Sequence, residues 1–183
     1  MTKNNFFVIT GAMGAGKTTV IDKLKEMNIR CIEEPARVIL KEQRNIGGEG
    51  VPERNPALFN QLMLLRMIDQ YLDESKGSEL MIYDRGIPDI IAYSELLNTS
   101  SEKSVIASKE YRYNKNVFLF NGWEEIYAKD EERKVDFRTA DNFGKRVRQV
   151  YEELGYSIID VPFVSALERA AFVISSINRI VNQ

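Results

Sequence analysis

The chain has 183 residues, of which 44% are apolar and 28% charged, the profile of one compact domain with a sizeable core. Lys and Arg number 25 against 27 for Asp and Glu, and the net charge of -2 disfavours a nucleic-acid backbone or an anionic membrane as partner. No histidine is present, which excludes a Ser/His/Asp triad, a histidine base and a histidine-bound zinc, while a single cysteine, Cys31, excludes an internal disulfide and any CxxC pair.

A lone thiol suits a reducing compartment, and the start, MTKNNFFVIT, offers too short an apolar run for a signal peptide. No later run approaches the roughly 18 residues of a membrane span, so a cytoplasmic protein is expected. In chain order, Phe6 to Ile9 reads as a fully buried strand meeting a glycine turn. Ile29 to Ile32, Leu80 to Tyr83, Val117 to Phe120 and Tyr156 to Val161 give four more, two of them running into charged residues.

Helical spacing alternates with these strands. It is carried by Val20, Ile21, Leu24 and Met27, then by Leu58, Leu62, Leu65, Ile68 and Leu72, and by Phe143, Val147, Val150 and Leu154 before a stop at Gly155. A last helix, with Leu167, Ala170, Ile174, Ile177 and Val181 on one face, opens on the capping box Ser165 to Glu168. Asn45 to Asn55 and Asn98 to Ser104 read as loops. The alternation predicts an α/β fold, a parallel sheet with helices on both faces, in one domain over residues 1–183.

Gly11-Ala12-Met13-Gly14-Ala15-Gly16-Lys17-Thr18 matches GxxxxGK(S/T) at every fixed position, between a buried strand and a helix as the motif requires. Glycines let backbone N–H groups close around a β-phosphate, and the helix start adds the positive end of its dipole. Gly11, Gly14, Ala15, Gly16, Lys17, Thr18 and Thr19 are the nucleotide-binding candidates, with Lys17 spanning the β- and γ-phosphates and the Thr18 hydroxyl on Mg²⁺.

Ligands of open parallel sheets lie beyond the carboxyl ends of the strands, where three further clusters fall. Asp84 ends the third strand as a Mg²⁺ carboxylate, followed, where a hydrolysing ATPase would commonly carry Glu, by Arg85, a cation better suited to gripping an anionic or hydroxylated substrate. Glu34 and Arg37, in Glu34-Pro35-Ala36-Arg37, suit a base for an attacking hydroxyl and a phosphate or acceptor contact. Gln61, on a helix edge, can reach into a pocket. Arg133 and Arg138, in the charged run from Asp130 to Arg138, fit a lid over the transferring phosphate, at about residues 122–139.

The blocks GAMGAGKTT, EEPAR, ALFNQLMLLR, YDRGIPDIIAY, WEEIYAKDEERKVDF and YEELGYSIIDVP together resemble a bacterial group of AAA-type P-loop proteins, the predicted ATPases, which are related in pattern to ribosylnicotinamide and deoxynucleoside kinases. The resemblance implies a P-loop NTPase fold with five parallel strands in the order 2-3-1-4-5 and a small lid. It also implies that Glu34 is the base for a sugar hydroxyl, that Asp84 and Arg85 stand for a Glu-Arg pair near Mg²⁺, that Gln61 reads a base, and that Arg133 and Arg138 are lid arginines. The triplet is Asp-Arg-Gly where the kinases carry Glu-Arg-Ser, and the lid spacing differs. Adenine would sit near Val161, Pro162 and Phe163.

The leading expectation is therefore a Mg²⁺- and ATP-dependent kinase that transfers phosphate to the hydroxyl of a nucleoside-like small molecule. The alternative is a nucleotide switch or regulatory ATPase acting through a protein partner, although Asn114-Lys115-Asn116-Val117 lacks the Asp of the guanine-reading NKxD motif. An AAA+ motor is a third reading, disfavoured because 183 residues leave no room for its helical lid domain.

Overall fold

A computed structural model describes residues 1–127 and 135–182. Five strands, β1 (Phe6–Gly11), β2 (Cys31–Ile32), β3 (Met81–Asp84), β4 (Asn116–Phe120) and β5 (Ser157–Asp160), form one sheet in the order β2-β3-β1-β4-β5. Every pairing is parallel: Val8 faces Tyr83 on one side and Val117 on the other. The expected strand order and the expected helices on both faces are both present.

The helices are α1 (Lys17–Glu26), α2 (Ala36–Asn45), α3 (Pro56–Glu74), α4 (Asp89–Leu96), α5 (Glu102–Glu110), α6 (Phe137–Glu153) and α7 (Ala166–Val181), with a short 3₁₀ turn at Glu124–Ile126. β1 alternates its side chains between two cores, which is why all of its residues are buried. Phe6 and Val8 join Met63, Met67, Tyr71, Ile90, Val147 and Val150 under α3, α4 and α6. Phe7 and Ile9 meet Val20, Leu24, Val173 and Ile177 under α1 and α7. Among the described residues no helix is long and apolar enough to cross a membrane.

Three sequence expectations shift. The buried stripe of α3 is Phe59, Met63, Met67 and Tyr71, a different face from the expected Leu58, Leu62, Leu65, Ile68 and Leu72, of which Leu65 and Leu72 are exposed. The helix is apolar nearly all round, so spacing alone could not choose its inner face. On α7, Ala170 and Ile177 face the core as expected, but Leu167 and Val181 are exposed while Arg169, Val173 and Ser176 are buried. The stretch from Asn98 to Ser104, read as a loop, contains the start of α5 at Glu102. The expected capping box is complete at Ser165 and Glu168, and Asn55 and Asp136, not expected as caps, also cap α3 and α6 by accepting from backbone N–H groups.

One close approach fixes the frame around the site. At Gly144 of α6 a Cβ would fall 2.8 Å from the Ala12 Cβ and 2.9 Å from its backbone N. No side chain fits there, so α6 rests directly on the start of the phosphate-binding loop.

Candidate active site

The loop between β1 and α1 has the shape its sequence demands. Gly16, the residue before α1, adopts φ +78°, a left-handed conformation that glycine takes without steric cost, and turns the chain into the helix start. Lys17 follows as the first helical residue, and its ammonium donates to the Ala12 carbonyl at 2.6 Å, folding the side chain back across the loop. Burial and the Arg85 charge pull Lys17 down to about 7, against the opposing pull of Asp84, Glu34 and Asp89. An incoming polyphosphate supplies the negative charge that a buried ammonium lacks.

β3 delivers the second group. Asp84 ends the strand with Oδ1 buried and without a hydrogen-bond partner, and burial together with the Glu34 carboxylate raises it to about 6. Arg85 then turns into the left-handed region, φ +66°, which costs a non-glycine residue about 1–3 kcal/mol. Its guanidinium is buried, donating from Nη1 to the Gly11 carbonyl at 3.0 Å and to Asp89 Oδ1 at 2.8 Å. The rings of Tyr93 and Phe143 lie 5.6 and 5.3 Å from its centre.

Asp89, wholly buried at the start of α4, gathers donors from four places. It accepts from the Thr10 hydroxyl at 2.5 Å, from Arg85, from the Gly86 N–H at 3.0 Å and from the Tyr151 hydroxyl at 2.7 Å. β1, the β3 exit and α6 are thereby tied to one carboxylate. Glu34, just past β2, completes the cluster: its Oε1 lies 3.2 Å from Arg85 Nε and accepts from the Tyr93 hydroxyl at 3.1 Å. Its side chain keeps 22% exposure, so it is oriented by buried neighbours yet open to a ligand.

Lys17, Glu34, Asp84, Arg85 and Tyr93 border one cavity of about 760 Å³, with Asp89 behind them. Its lining includes Gly14, Gly16, Lys17, Thr18, Thr19, Glu34, Arg37, Asp84 and Arg85, so nine of the residues singled out in the sequence converge there. Others do not. Gly11 and Ala15 shape the loop from behind, both buried and outside the lining. Gln61 is exposed on α3 and Arg138 is exposed in the first turn of α6, neither bordering the cavity. Arg133 and the middle of the expected lid, residues 128–134, lie outside the described residues.

Sequence reasoning missed Asp89, Tyr93 and Arg169. Arg169 reaches back from α7, buried, and donates from Nη1 to the Ala15 carbonyl at 2.9 Å while bordering the cavity. Its guanidinium lies 5.6 Å from the Phe120 ring and 5.2 Å from that of Trp123, and burial lowers it below the usual arginine value. Arg85 itself was expected to grip substrate, and its packing instead makes it first an organiser of Gly11 and Glu34.

The donor set suits Mg²⁺. Asp84 Oδ1 is a buried oxygen without a hydrogen-bond donor and borders the same cavity as Thr18, and one carboxylate with a hydroxyl and substrate phosphates is how Mg²⁺ is commonly held.

A family model described as an AAA domain matches residues 6–169, nine-tenths of the chain. The chain belongs to this AAA domain family. Its fold is also that of several solved kinases. Deoxyadenosine kinase from M. mycoides superposes over 95% of this chain and 99% of its own, with a TM-score of 0.69 at 13% identity. Shikimate kinase from Acinetobacter baumannii superposes over 95% and 93%, with a TM-score of 0.57 at 16% identity. By sequence, a nucleotide-binding protein of Staphylococcus epidermidis is 29% identical over 112 residues, which is 61% of this chain. This chain aligns to only 35% of that relative's length. The AAA domain protein described here is thus a nucleotide-binding P-loop protein with a kinase-like fold.

Proposed function

We propose that the protein is a Mg²⁺- and ATP-dependent kinase that transfers the γ-phosphate to a hydroxyl of a nucleoside-like small molecule. The observation that carries this reading is the carboxylate of Glu34, oriented by Arg85 and Tyr93 and open to the cavity that Lys17 and Asp84 also border. A protein that only hydrolyses its nucleotide commonly has a carboxylate directly after the Walker Asp to orient water; here that position is Arg85, buried and bound to Asp89.

In the reaction, backbone N–H groups of Gly14 to Lys17 hold the β-phosphate and Lys17 neutralises the β- and γ-oxygens. Thr18 and Asp84 would hold Mg²⁺, which would supply charge neutralisation to the phosphates. Glu34 accepts the proton of the acceptor hydroxyl as its oxygen bonds to the γ-phosphorus and the bond to the ADP oxygen breaks. Arg37 contacts the bound acceptor.

The test is ADP release by the purified protein with Mg-ATP, screened against hydroxylated small molecules, nucleosides among them. Acceleration by one compound, lost by about 10²- to 10⁴-fold in Glu34→Gln with ATP affinity nearly unchanged, is the expected result. A slow release that no compound accelerates would instead establish a regulatory ATPase.

A further inference from the structure

The sheet order gives the cavity two ends. Glu34, Asp84 and Arg85 leave β2 and β3 on one side of β1, whereas Ile126, Val135 and Arg169 stand on the β4 and β5 side. On the proposed kinase reading, a triphosphate seated on Gly14 to Thr18 would turn its γ-phosphate toward Glu34, which puts the acceptor at the first end.

There, beyond the charged Asp22, Glu34, Arg37 and Arg85, the lining is mainly apolar, with Leu40, Pro52, Phe59, Tyr93, Leu96 and Leu97 in it. Tyr93 spends its hydroxyl on Glu34. The amides of this region do not line the chamber: Gln61 is exposed outside the cavity, and Asn60, which does not border it, donates from Nδ2 to Ser94 and Thr99 while its Oδ1 is buried without a partner. Lys25 and Glu33 border the cavity but pair with each other. Among the described residues, then, this chamber offers apolar faces and no free amide.

We infer that the acceptor's body is an apolar or aromatic ring held by its faces, not a base read by hydrogen bonds along its edge. The inference rests on the kinase reading. It narrows the acceptor to an alcohol whose ring makes little polar demand on the chamber, because a polar edge set against those apolar walls would lose water partners that no lining amide replaces.

Cytidine and 1-phenyl-riboside test it, since they present the same sugar hydroxyls and differ in the ring edge. With Mg-ATP, kcat/KM for the phenyl riboside should exceed that for cytidine by about 10-fold or more. Equal rates, or a preference for cytidine, would overturn the inference. Should neither be phosphorylated, the kinase reading fails for ribosides, and equilibrium dialysis with Mg-ADP present decides the chamber separately: tighter binding of the phenyl riboside supports it, and equal, weaker or absent binding refutes it. Leu97→Gln, which adds a partner to the half-buried wall, should shrink the ratio severalfold. An unchanged ratio would place the ring elsewhere and overturn the assignment.

Discussion

Arg85 and Asp89, four residues apart, meet as a fully buried ion pair with Nη1 and Oδ1 at 2.8 Å. The same guanidinium, on a residue with left-handed backbone, lies 3.2 Å from Glu34 Oε1 through Nε, so the pair and Glu34 share one buried cation. Removing one partner of a buried pair leaves a charge without compensation, which typically costs about 3–5 kcal/mol. Asp89→Ala should lose stability in that range by chemical denaturation, since Thr10 and Tyr151 lose their acceptor as well. A loss below about 1 kcal/mol would show that Asp89 is not the tie between these elements.

Lys17 sets a pH dependence. Lowered to about 7 in the free protein, it is raised by a bound polyphosphate, so binding above neutrality takes up a proton. Affinity must then fall as pH rises. For metal-free ADP, calorimetry between pH 7 and 9 should show at least about a tenfold weakening with proton uptake, because each pH unit past the free group's pKa costs up to tenfold. Lys17→Met should bind weakly at every pH and lose the proton uptake. A flat wild-type profile would show that Lys17 remains charged throughout.

Asp84→Asn should reduce Mg²⁺-dependent turnover far more than nucleotide affinity, because the loop amides hold the ground state while the metal acts chiefly on charge that develops in transfer. Equal losses in the two quantities, measured by steady-state rates and calorimetry, would make Asp84 a structural residue.

Arg169→Met keeps the side chain's bulk against Phe120 and Trp123 but cannot donate to the Ala15 carbonyl. Loss of a hydrogen bond from a charged donor, about 1.5–3 kcal/mol, should appear as roughly 10- to 100-fold weaker ATP binding in a folded protein. Arg169→Lys should recover part of it. Wild-type affinity in Arg169→Met would remove Arg169 from the binding loop's support.

The fold and the phosphate-binding loop were legible because they repeat simple signals. Phe6 to Ile9 is continuously apolar because β1 is covered on both faces, and the glycine spacing of the next eight residues fixes its own geometry. Helices α2, α4 and α5 escaped notice. α2 begins at once after Pro35, and α4, DIIAYSEL, is short and buries Asp89 and Ser94 beside its apolar residues, which blurs any stripe. The site divided in the same way. Lys17, Thr18, Glu34 and Asp84 are placed by local motif and strand end, so chain order finds them. Asp89 and Arg169 look in sequence like ordinary surface charges, and only tertiary packing buries them. Gln61 failed for the opposite reason, since α3 turns another face inward than the expected one, so that Phe59 borders the cavity and Gln61 is exposed.

The contact between Gly144 and Ala12 makes position 144 a remote control of the nucleotide. α6 itself contributes no residue to the cavity among those described, yet a single methyl group added there has no room except by pushing the loop or lifting the helix. Variation at this glycine would be read in a screen as a binding defect, far in sequence from any residue that touches phosphate. Because the Ala12 Cα and backbone N lie as near as its methyl group, no side-chain change at position 12 makes room, and a larger residue at 144 is accommodated only by reseating the loop itself.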